Sequence, residues 1–173
     1  YYKWDWLSYA QVAQGHNSVV VDDNGKIFNV YHTRFNSGNE GHEVRVHQMF
    51  LAENGGLCAA PFEYSGETLG AKTDTAADVA GWYSVLNHGW GTDYANLKYV
   101  SPSKIQLTED GSISGAYTGT WKLDGSNITL TIGGLEYKGV LIEQKAEDRS
   151  ETVVCFTTVC QNRSLWGFTK HSE

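Results

Sequence analysis

The Asn-Gly pair near the start of the chain constrains the fold more than any other feature of the sequence. Asn24 and Gly25 separate the run NSVVVDD from the run KIFNVYHTRF. An Asn-Gly pair between two apolar runs is the strongest short-range signal for a β-hairpin, because both residues tolerate the backbone angles of a tight turn. These residues are therefore predicted to form the first two strands of an antiparallel sheet.

Two further segments extend the predicted hairpin. EVRVHQMFLA has the period-two alternation of a strand, ENGG predicts a tight turn, and LCAAPFEY follows it. On the third strand, Glu43, Arg45 and His47 share a face, which favours a ladder of ion pairs. Four antiparallel strands in about 50 residues match one blade of a β-propeller in length and pattern.

The small, polar segment from Ser65 to Asp78 predicts a domain boundary. We place the first domain at 1–66 and the second at 67–173. The second domain alternates short runs rich in Val, Ile, Thr and aromatic residues with turn sequences at 109–111, 123–127, 133–134, 145–150 and 161–164. Up-and-down strands in this number usually close into a small barrel, because closure removes the edges. The predicted fold class is all-β, and TAADVA is the candidate for a single turn of helix.

The composition fits an all-β globular protein and argues against two classes of partner. Of the 173 residues, 40% are hydrophobic and 13% aromatic, with 19 Gly but only 2 Pro, which is typical of glycine-punctuated β structure. The net charge of −7 disfavours binding to nucleic acid, which needs clustered Lys and Arg, and suits a neutral ligand such as a sugar. No apolar run is long enough to cross a membrane, and the sequence predicts no signal peptide.

The cysteines number three, which is a poor basis for a disulfide framework. Cys155 and Cys160 are an odd number of residues apart, so on one continuous strand they face opposite sides. We interpret Cys58, Cys155 and Cys160 as small buried residues. A Cys155–Cys160 disulfide remains the alternative.

A lone propeller blade has two apolar faces and needs a neighbour on each. The segments SVVV, IFNVY and MFLAENGGLCAAPF would expose more apolar surface than the few hundred Å² that a soluble monomer tolerates. The sequence therefore predicts a missing partner, and it predicts that the chain is the end of a longer polypeptide.

A family resemblance is carried by the segments GHNSVVVDDNGKIFNVYHTRF and GHEVRVHQMFLAENGGLCAAPFEYSGE. They resemble the last blade of the endo-acting arabinanases of glycoside hydrolase family 43. LTEDGSISGAYTGTWKL and YKGVLIEQ resemble the C-terminal β-barrel of the extracellular members. The resemblance implies a five-bladed propeller that hydrolyses α-1,5-linked arabinan with inversion, using two Asp and one Glu. Those carboxylates come from earlier blades, so the resemblance implies that this chain carries no catalytic residue.

The resemblance also assigns a metal role to His16. From spacing alone, His16 is more simply a buried histidine bonded to a backbone carbonyl, since metal sites usually show several ligands close together. In the arabinanases, the histidine of the GHNS segment ligates a calcium in the central channel, with water filling the other positions. The resemblance therefore implies calcium as the cofactor, provided that the other blades are present.

Other candidate residues are weaker. His32 and Arg34 share a face, and they either brace adjacent blades or support the active site. Asp22 and Asp23 lie in a turn context and lack the apolar setting that raises the pKa of a catalytic acid. Trp90, flanked by glycines, is a candidate glycan contact, whereas Trp121 and Trp166 lie in alternating strands and are predicted core residues.

Two functional hypotheses from different classes follow. In the first, the chain is the C-terminal part of an endo-arabinanase, extracellular or periplasmic by resemblance. It would be inactive alone. Its partner would be the N-terminal blades of the same enzyme, as a separate or cleaved chain, and the substrate would be arabinan. In the second, the chain is a non-catalytic module that binds carbohydrate or self-associates through its blade faces. A gene reading frame that extends upstream of Tyr1 would favour the first hypothesis over the second.

Overall fold

The first sheet is antiparallel, with four strands in the order β1-β2-β3-β4. A computed structural model describes residues 1–37, 41–67, 69, 75–89 and 98–169. The strands of the sheet are β1 Gln11–Val21, β2 Ile27–Phe35, β3 His42–Leu51 and β4 Leu57–Ala59. The predicted four-stranded meander is confirmed.

The turn between β1 and β2 is one residue longer than an Asn-Gly pair alone predicts. The backbone amide of Asp22 donates to the carbonyl of Lys26, which leaves a three-residue loop. Gly25 adopts a φ of 79°, as the last position of such a loop requires. The Asp22 carboxylate accepts from the amides of Asn24 and Lys26 at 2.9 and 2.8 Å. Asp22 is therefore a turn residue, as predicted.

The second half of the chain is a closed eight-stranded barrel. Each strand pairs antiparallel with the next in sequence, and β12 pairs with β5 to complete the closure. The predicted up-and-down barrel is confirmed. Its strands are β5 Gly81–Asn87, β6 Ser103–Leu107, β7 Ser112–Gly115, β8 Gly119–Asp124, β9 Asn127–Ile132, β10 Leu135–Lys145, β11 Thr152–Cys160 and β12 Arg163–Thr169.

The barrel interior is filled by apolar side chains from all eight strands. Ile105, Leu130 and Phe156 are completely buried there. Trp121, a predicted core residue, lies in the same cluster, and its indole N–H donates to the Thr108 carbonyl at 2.9 Å. Filling of this kind is usual for a small barrel, so the interior is a packed core.

One short helix, α1 Ala76–Val79, precedes the barrel. Thr75 caps it, since the Thr75 hydroxyl accepts from the Asp78 amide and the Asp78 carboxylate accepts from the Thr75 amide. The predicted helical turn in TAADVA is confirmed. In the part of the chain that the structure describes, no helix is long and apolar enough to cross a membrane.

A second apolar core joins the sheet to the outer wall of the barrel. Trp4 is completely buried, with its ring centroid 5.1 Å from that of Phe168 and 5.3 Å from that of Phe62. Trp166, also predicted as core, packs in this cluster. Residues from the start of the chain thus pack against the barrel, and the predicted boundary between 1–66 and 67–173 stays a prediction.

Backbone groups at the outer side of β4 bond to the barrel. The Thr157 hydroxyl donates to the Ala59 carbonyl at 2.6 Å. The Gln144 amide both donates to the Phe62 carbonyl and accepts from the Phe62 amide, at 3.1 Å each. The Gln144 side chain therefore takes the place of a peptide group on a neighbouring strand.

The three cysteines are buried and free. Cys155 and Cys160 are 0% and 7% exposed, within β11. Burial raises the pKa of the Cys58 thiol to about 12, which suppresses thiolate chemistry. The interpretation of all three as small buried residues is confirmed, and the alternative Cys155–Cys160 disulfide is absent from the structure.

Candidate functional site

A row of histidines crosses one face of the sheet. His16 lies at an irregularity of the β1–β2 register and has a φ of 51°, so the bulge re-aims its side chain. Its ring centroid lies 6.2 Å from that of His32, which lies 5.9 Å from that of His42. Arg34 pairs with His42 across β2 and β3. The sheet therefore brings His16, His32 and Arg34 together, as the strand alternation predicts for the last two.

The metal-binding capacity of this row is limited. His16 is exposed, so its imidazole is accessible to an ion. Across the described ranges, no group of three or more His, Cys, Asp or Glu residues could hold a metal ion. The described residues therefore offer His16 as a single accessible imidazole at this face.

Arg45 is the centre of an ionic cluster that links the sheet to the barrel. Its guanidinium lies 3.0 Å from Glu43 and 3.3 Å from Glu147, and it also bonds to Glu63. Glu147 comes from the turn between β10 and β11 and accepts from Gln11. Burial raises the pKa of Glu147, and the positive charge of Arg45 opposes that rise. The predicted Glu43–Arg45 pair is present, whereas nothing in the sequence pointed to Glu63 or Glu147 as partners.

His47 is not part of that ladder. Its Nδ1 lies 2.7 Å from the Ala60 carbonyl, which only accepts, so Nδ1 carries the proton. Nε2 then accepts from the Tyr31 hydroxyl at 3.0 Å. Burial lowers the pKa of His47. The predicted ion-pair role of His47 is wrong, because the strand face turns from solvent at Glu43 to the sheet–barrel junction at His47.

A cleft of about 350 Å³ opens beside Tyr31, between the sheet and the barrel. The sheet contributes the amide side chains of Gln14, Asn17 and Asn29, and the barrel side contributes His88 and Trp166. The His88 ring meets the Trp166 ring edge to face, with 4.3 Å between centroids. Burial lowers the pKa of His88 to about 4, so the ring is neutral at pH 7. Sequence reasoning missed this cleft, because its two walls lie far apart in the chain.

The predicted glycan contact at Trp90 lies outside the described residues. Trp82, from the same aromatic-rich segment, is half exposed on the barrel surface, whereas Tyr83 is buried in the barrel core. Trp121 and Trp166 are both buried, as predicted.

The fold defines the chain as a closed eight-stranded barrel with an adjoining four-stranded sheet. Residues 61–167 match the C-terminal lipocalin-like domain of glycoside hydrolase family 43. The chain belongs to this family, since the match covers more than half of its residues.

Particular relatives are similar over nearly the whole chain. The extracellular endo-α-(1→5)-L-arabinanase 2 of Bacillus subtilis (strain 168) is 38% identical over 159 residues, which is 90% of this chain and 33% of the relative. The extracellular endo-α-(1→5)-L-arabinanase of Thermotoga petrophila is 39% identical over 170 residues, 94% of this chain and 35% of the relative. The chain therefore spans about a third of the length of these relatives.

Solved structures are similar over the same span. The crystal structure of the glycoside hydrolase family 43 YxiA protein of Bacillus licheniformis superposes with a TM-score of 0.89 at 32% identity, over 99% of this chain and 38% of that one. The Thermotoga petrophila endo-1,5-α-L-arabinanase in complex with Tris gives a TM-score of 0.84 at 38% identity, over 94% of this chain and 37% of that one. Both sheet and barrel are thus within the matched region.

Proposed function

We propose that the chain is the C-terminal portion of an inverting endo-arabinanase that hydrolyses α-1,5-linked arabinan. In this proposal the sheet is the last blade of a five-bladed propeller, and the barrel is an accessory domain. The catalytic carboxylates belong to the other blades, so the chain alone is inactive. The arabinanase relatives, about three times as long as the chain, support this assignment.

The uncovered sheet is the observation that carries the proposal. Val19, Val20 and Val21 are consecutive on β1, so they point to both faces, yet they are 52%, 48% and 62% exposed. Val44 on β3 is 68% exposed. Apolar side chains exposed on both faces of one sheet mark surfaces that another layer covers, and neighbouring blades on each side would provide those layers.

His16 is the calcium ligand in this proposal. Calcium takes six to eight oxygen ligands, about 2.3–2.6 Å away, and the described residues offer no such cluster at His16. The exposed imidazole therefore fits the ion as one contact only, with water and other blades supplying the remainder. Bound there, the cation would shift the pKa values of groups close to it.

His32 and Arg34 would support the active site through their position on the same face as His16. His32 is half-buried beside the His16 ring. Trp90 is proposed as a glycan contact. The partner in this proposal is the set of N-terminal blades of the same enzyme, as a separate or cleaved chain, and the location is extracellular or periplasmic.

The first test is intact-mass analysis of the purified sample after size-exclusion chromatography, which shows whether a second polypeptide accompanies the chain. An assay of arabinan hydrolysis follows. We expect the purified 173-residue chain to release no reducing ends from linear arabinan, and the same chain with the remaining polypeptide of its own enzyme to be active. In the active complex, His16→Ala should lower kcat more than tenfold, whereas the control Asn24→Ala, in the β1–β2 turn, should leave it within twofold. Hydrolysis by the isolated chain would overturn the proposal.

Self-association is the competing outcome, and the same valines favour it. A homo-oligomer whose formation is lost on Val20→Lys, with no second polypeptide able to restore hydrolysis, would identify the chain as a self-associating module. A chain that captures the remaining blades as a one-to-one complex supports the arabinanase assignment.

A further inference from the structure

The cleft between the sheet and the barrel has the chemistry of a ligand site. Its volume of about 350 Å³ lies within the range of about 300–1,000 Å³ that is usual for small-molecule pockets. None of the described residues that line it is Asp, Glu, Lys or Arg. The wall instead combines aromatic rings with three side-chain amides. The α-amino group of Tyr1 is partly buried beside this wall, and burial lowers its pKa. Uncharged amide and aromatic side chains are suited to a neutral molecule that carries hydroxyl groups.

Several polar atoms in this wall are buried without a hydrogen-bond partner. Among the described residues, these include Gln14 Nε2, His88 Nε2 and Trp166 Nε1. A buried polar atom left without a partner costs about 1–3 kcal/mol, and native proteins keep few of them. Three such atoms around one cleft are hydrogen-bonding groups that a molecule rich in hydroxyl groups can satisfy.

The aromatic part of the wall is held rigidly. The Tyr31 hydroxyl donates to His47, which in turn is fixed by the Ala60 carbonyl. Trp166 packs edge to face with the His88 ring and stacks with the His47 ring, at 4.3 and 6.1 Å between centroids. Pre-organised rings present apolar faces at little entropic cost, and the amides of Asn17 and Asn29 lie beside them.

We infer that this cleft is a saccharide-binding site that takes a neutral sugar unit between the sheet and the barrel. The sugar hydroxyls accept from the Gln14 amide and the Trp166 indole N–H and bond to His88 Nε2. Asn17 and Asn29 bond to hydroxyls at the open side. A C–H face of the ring packs on the aromatic wall. The bound sugar therefore contacts the sheet on one side and the barrel on the other.

The choice of arabinose as the favoured sugar rests on the proposed function, and the site requires that the neighbouring blades that cover Val19, the cross-strand partner of Asn29, leave the mouth of the cleft open. A site between the domains binds glycan through a surface that neither domain forms alone. Binding can be measured on the 173-residue chain itself without turnover, so a failure to bind and a failure of the arabinanase assignment are distinguishable.

The test is a titration of the chain with arabino-, xylo- and galacto-oligosaccharides. Binding is measured by calorimetry and by the ¹⁵N spectra of the imidazole groups. We expect saturable binding and a shift of the His88 Nε2 signal, which a purely structural role of His88 would not produce. Asn29→Ala and Asn17→Ala should each raise the Kd about three- to tenfold, as the loss of one hydrogen bond implies. Asn24→Ala, in the β1–β2 turn outside the cleft, should leave the Kd unchanged.

Each other result has a defined meaning. The absence of saturable binding by all three sugars, with an unmoved His88 signal, would show that the cleft holds water only and would overturn the inference. Binding that is insensitive to the double change at Asn17 and Asn29, in a chain with an unaltered near-ultraviolet circular dichroism spectrum, would place the site elsewhere and also overturn it. Binding of xylo- but not arabino-oligosaccharides would support the site and count against arabinan as the substrate.

Discussion

The sheet and the barrel use the same kinds of residue and bury them to opposite degrees. In the barrel, Ile128 and Leu130 on β9 are 1% and 0% exposed, whereas Val20 and Val21 on β1 are 48% and 62% exposed. Both strands are rich in β-branched residues and pair antiparallel with neighbours. The difference is closure: a barrel covers its own inner face, whereas an open sheet needs another layer on each side.

The comparison teaches that burial in this molecule is set by topology more than by strand composition. The barrel is complete within the chain, and the sheet is complete only at its β4 side, where the barrel covers it. Mutations of one type should therefore have large effects on stability in the barrel, intermediate effects at the junction and small effects at the β1 side of the sheet.

The largest expected effect is that of Phe156→Ala in the barrel core. Phe156 is completely buried, and a Phe→Ala change at such a site costs about 3–5 kcal/mol of unfolding free energy. The matched change Phe28→Ala, at a partly exposed ring on β2 that contacts Tyr64, should cost about 1 kcal/mol. Equal losses in urea denaturation would contradict the contrast between barrel and sheet.

The next effect is at the junction, where Arg45→Met would leave Glu147 without its cation. Glu147 has a side chain only 5% exposed, and removing one partner of a buried pair costs about 3 kcal/mol. The control is Arg149→Met, because the Arg149–Glu151 pair is 44% and 40% exposed and such pairs contribute at most about 1 kcal/mol. Thermal unfolding should also separate into two transitions in the Arg45 variant, and a single unshifted transition would argue against this role of Arg45.

A smaller effect is the pH dependence from His88. Its pKa is about 4 in the folded chain against 6.5 when unperturbed, so stability from this group is present above about pH 6.5 and is lost as the pH falls towards 4. Between pH 7 and pH 5 the loss should be on the order of 2 kcal/mol. His88→Phe should reduce the slope in that window, and the slope that remains is expected from His47, whose pKa burial also lowers. A variant profile with the same slope as the parent would show that His88 is not responsible.

The smallest effect is expected on the open face of the sheet. Val44→Thr keeps the β-branched shape at a residue that is 68% exposed, so it should change the unfolding free energy by less than about 0.5 kcal/mol. Val85→Thr, at a barrel position that is 1% exposed, buries a hydroxyl and should cost about 1–3 kcal/mol. The pair is measured by urea denaturation, and a cost at Val44 as large as that at Val85 would mean that the sheet face is covered.

Much of the fold is predictable from local signals. The Asn24-Gly25 turn, the strand alternation and the turn sequences of the barrel each act within a few residues. One turn was missed, between β7 and β8. There Gly115 has a φ of 102°, and an added Cβ would lie 2.6 Å from the Lys104 carbonyl, so glycine is required. The two glycines that flank AYT were the available signal.

The candidate sites were less predictable, because they join segments that are distant in sequence. Strand alternation correctly placed His32 and Arg34 on one face, but it could not show that Arg45 meets Glu147 or that Trp166 faces Asn29 across a cleft. The exposed valines of β1 were predicted from the argument that a single blade is incomplete. The calcium role of His16 stays a prediction, as do the roles of His32, Arg34 and Trp90.

The bonds from Thr157 to β4 and from Gln144 to the segment that follows β4 have a consequence for aggregation. A free edge strand presents unpaired backbone groups that another chain can extend. Here barrel side chains occupy the Ala59 carbonyl and both backbone groups of Phe62. The barrel thus blocks edge-to-edge polymerisation at this end of the sheet. Without the barrel, these backbone groups would be free to pair with a strand of another chain.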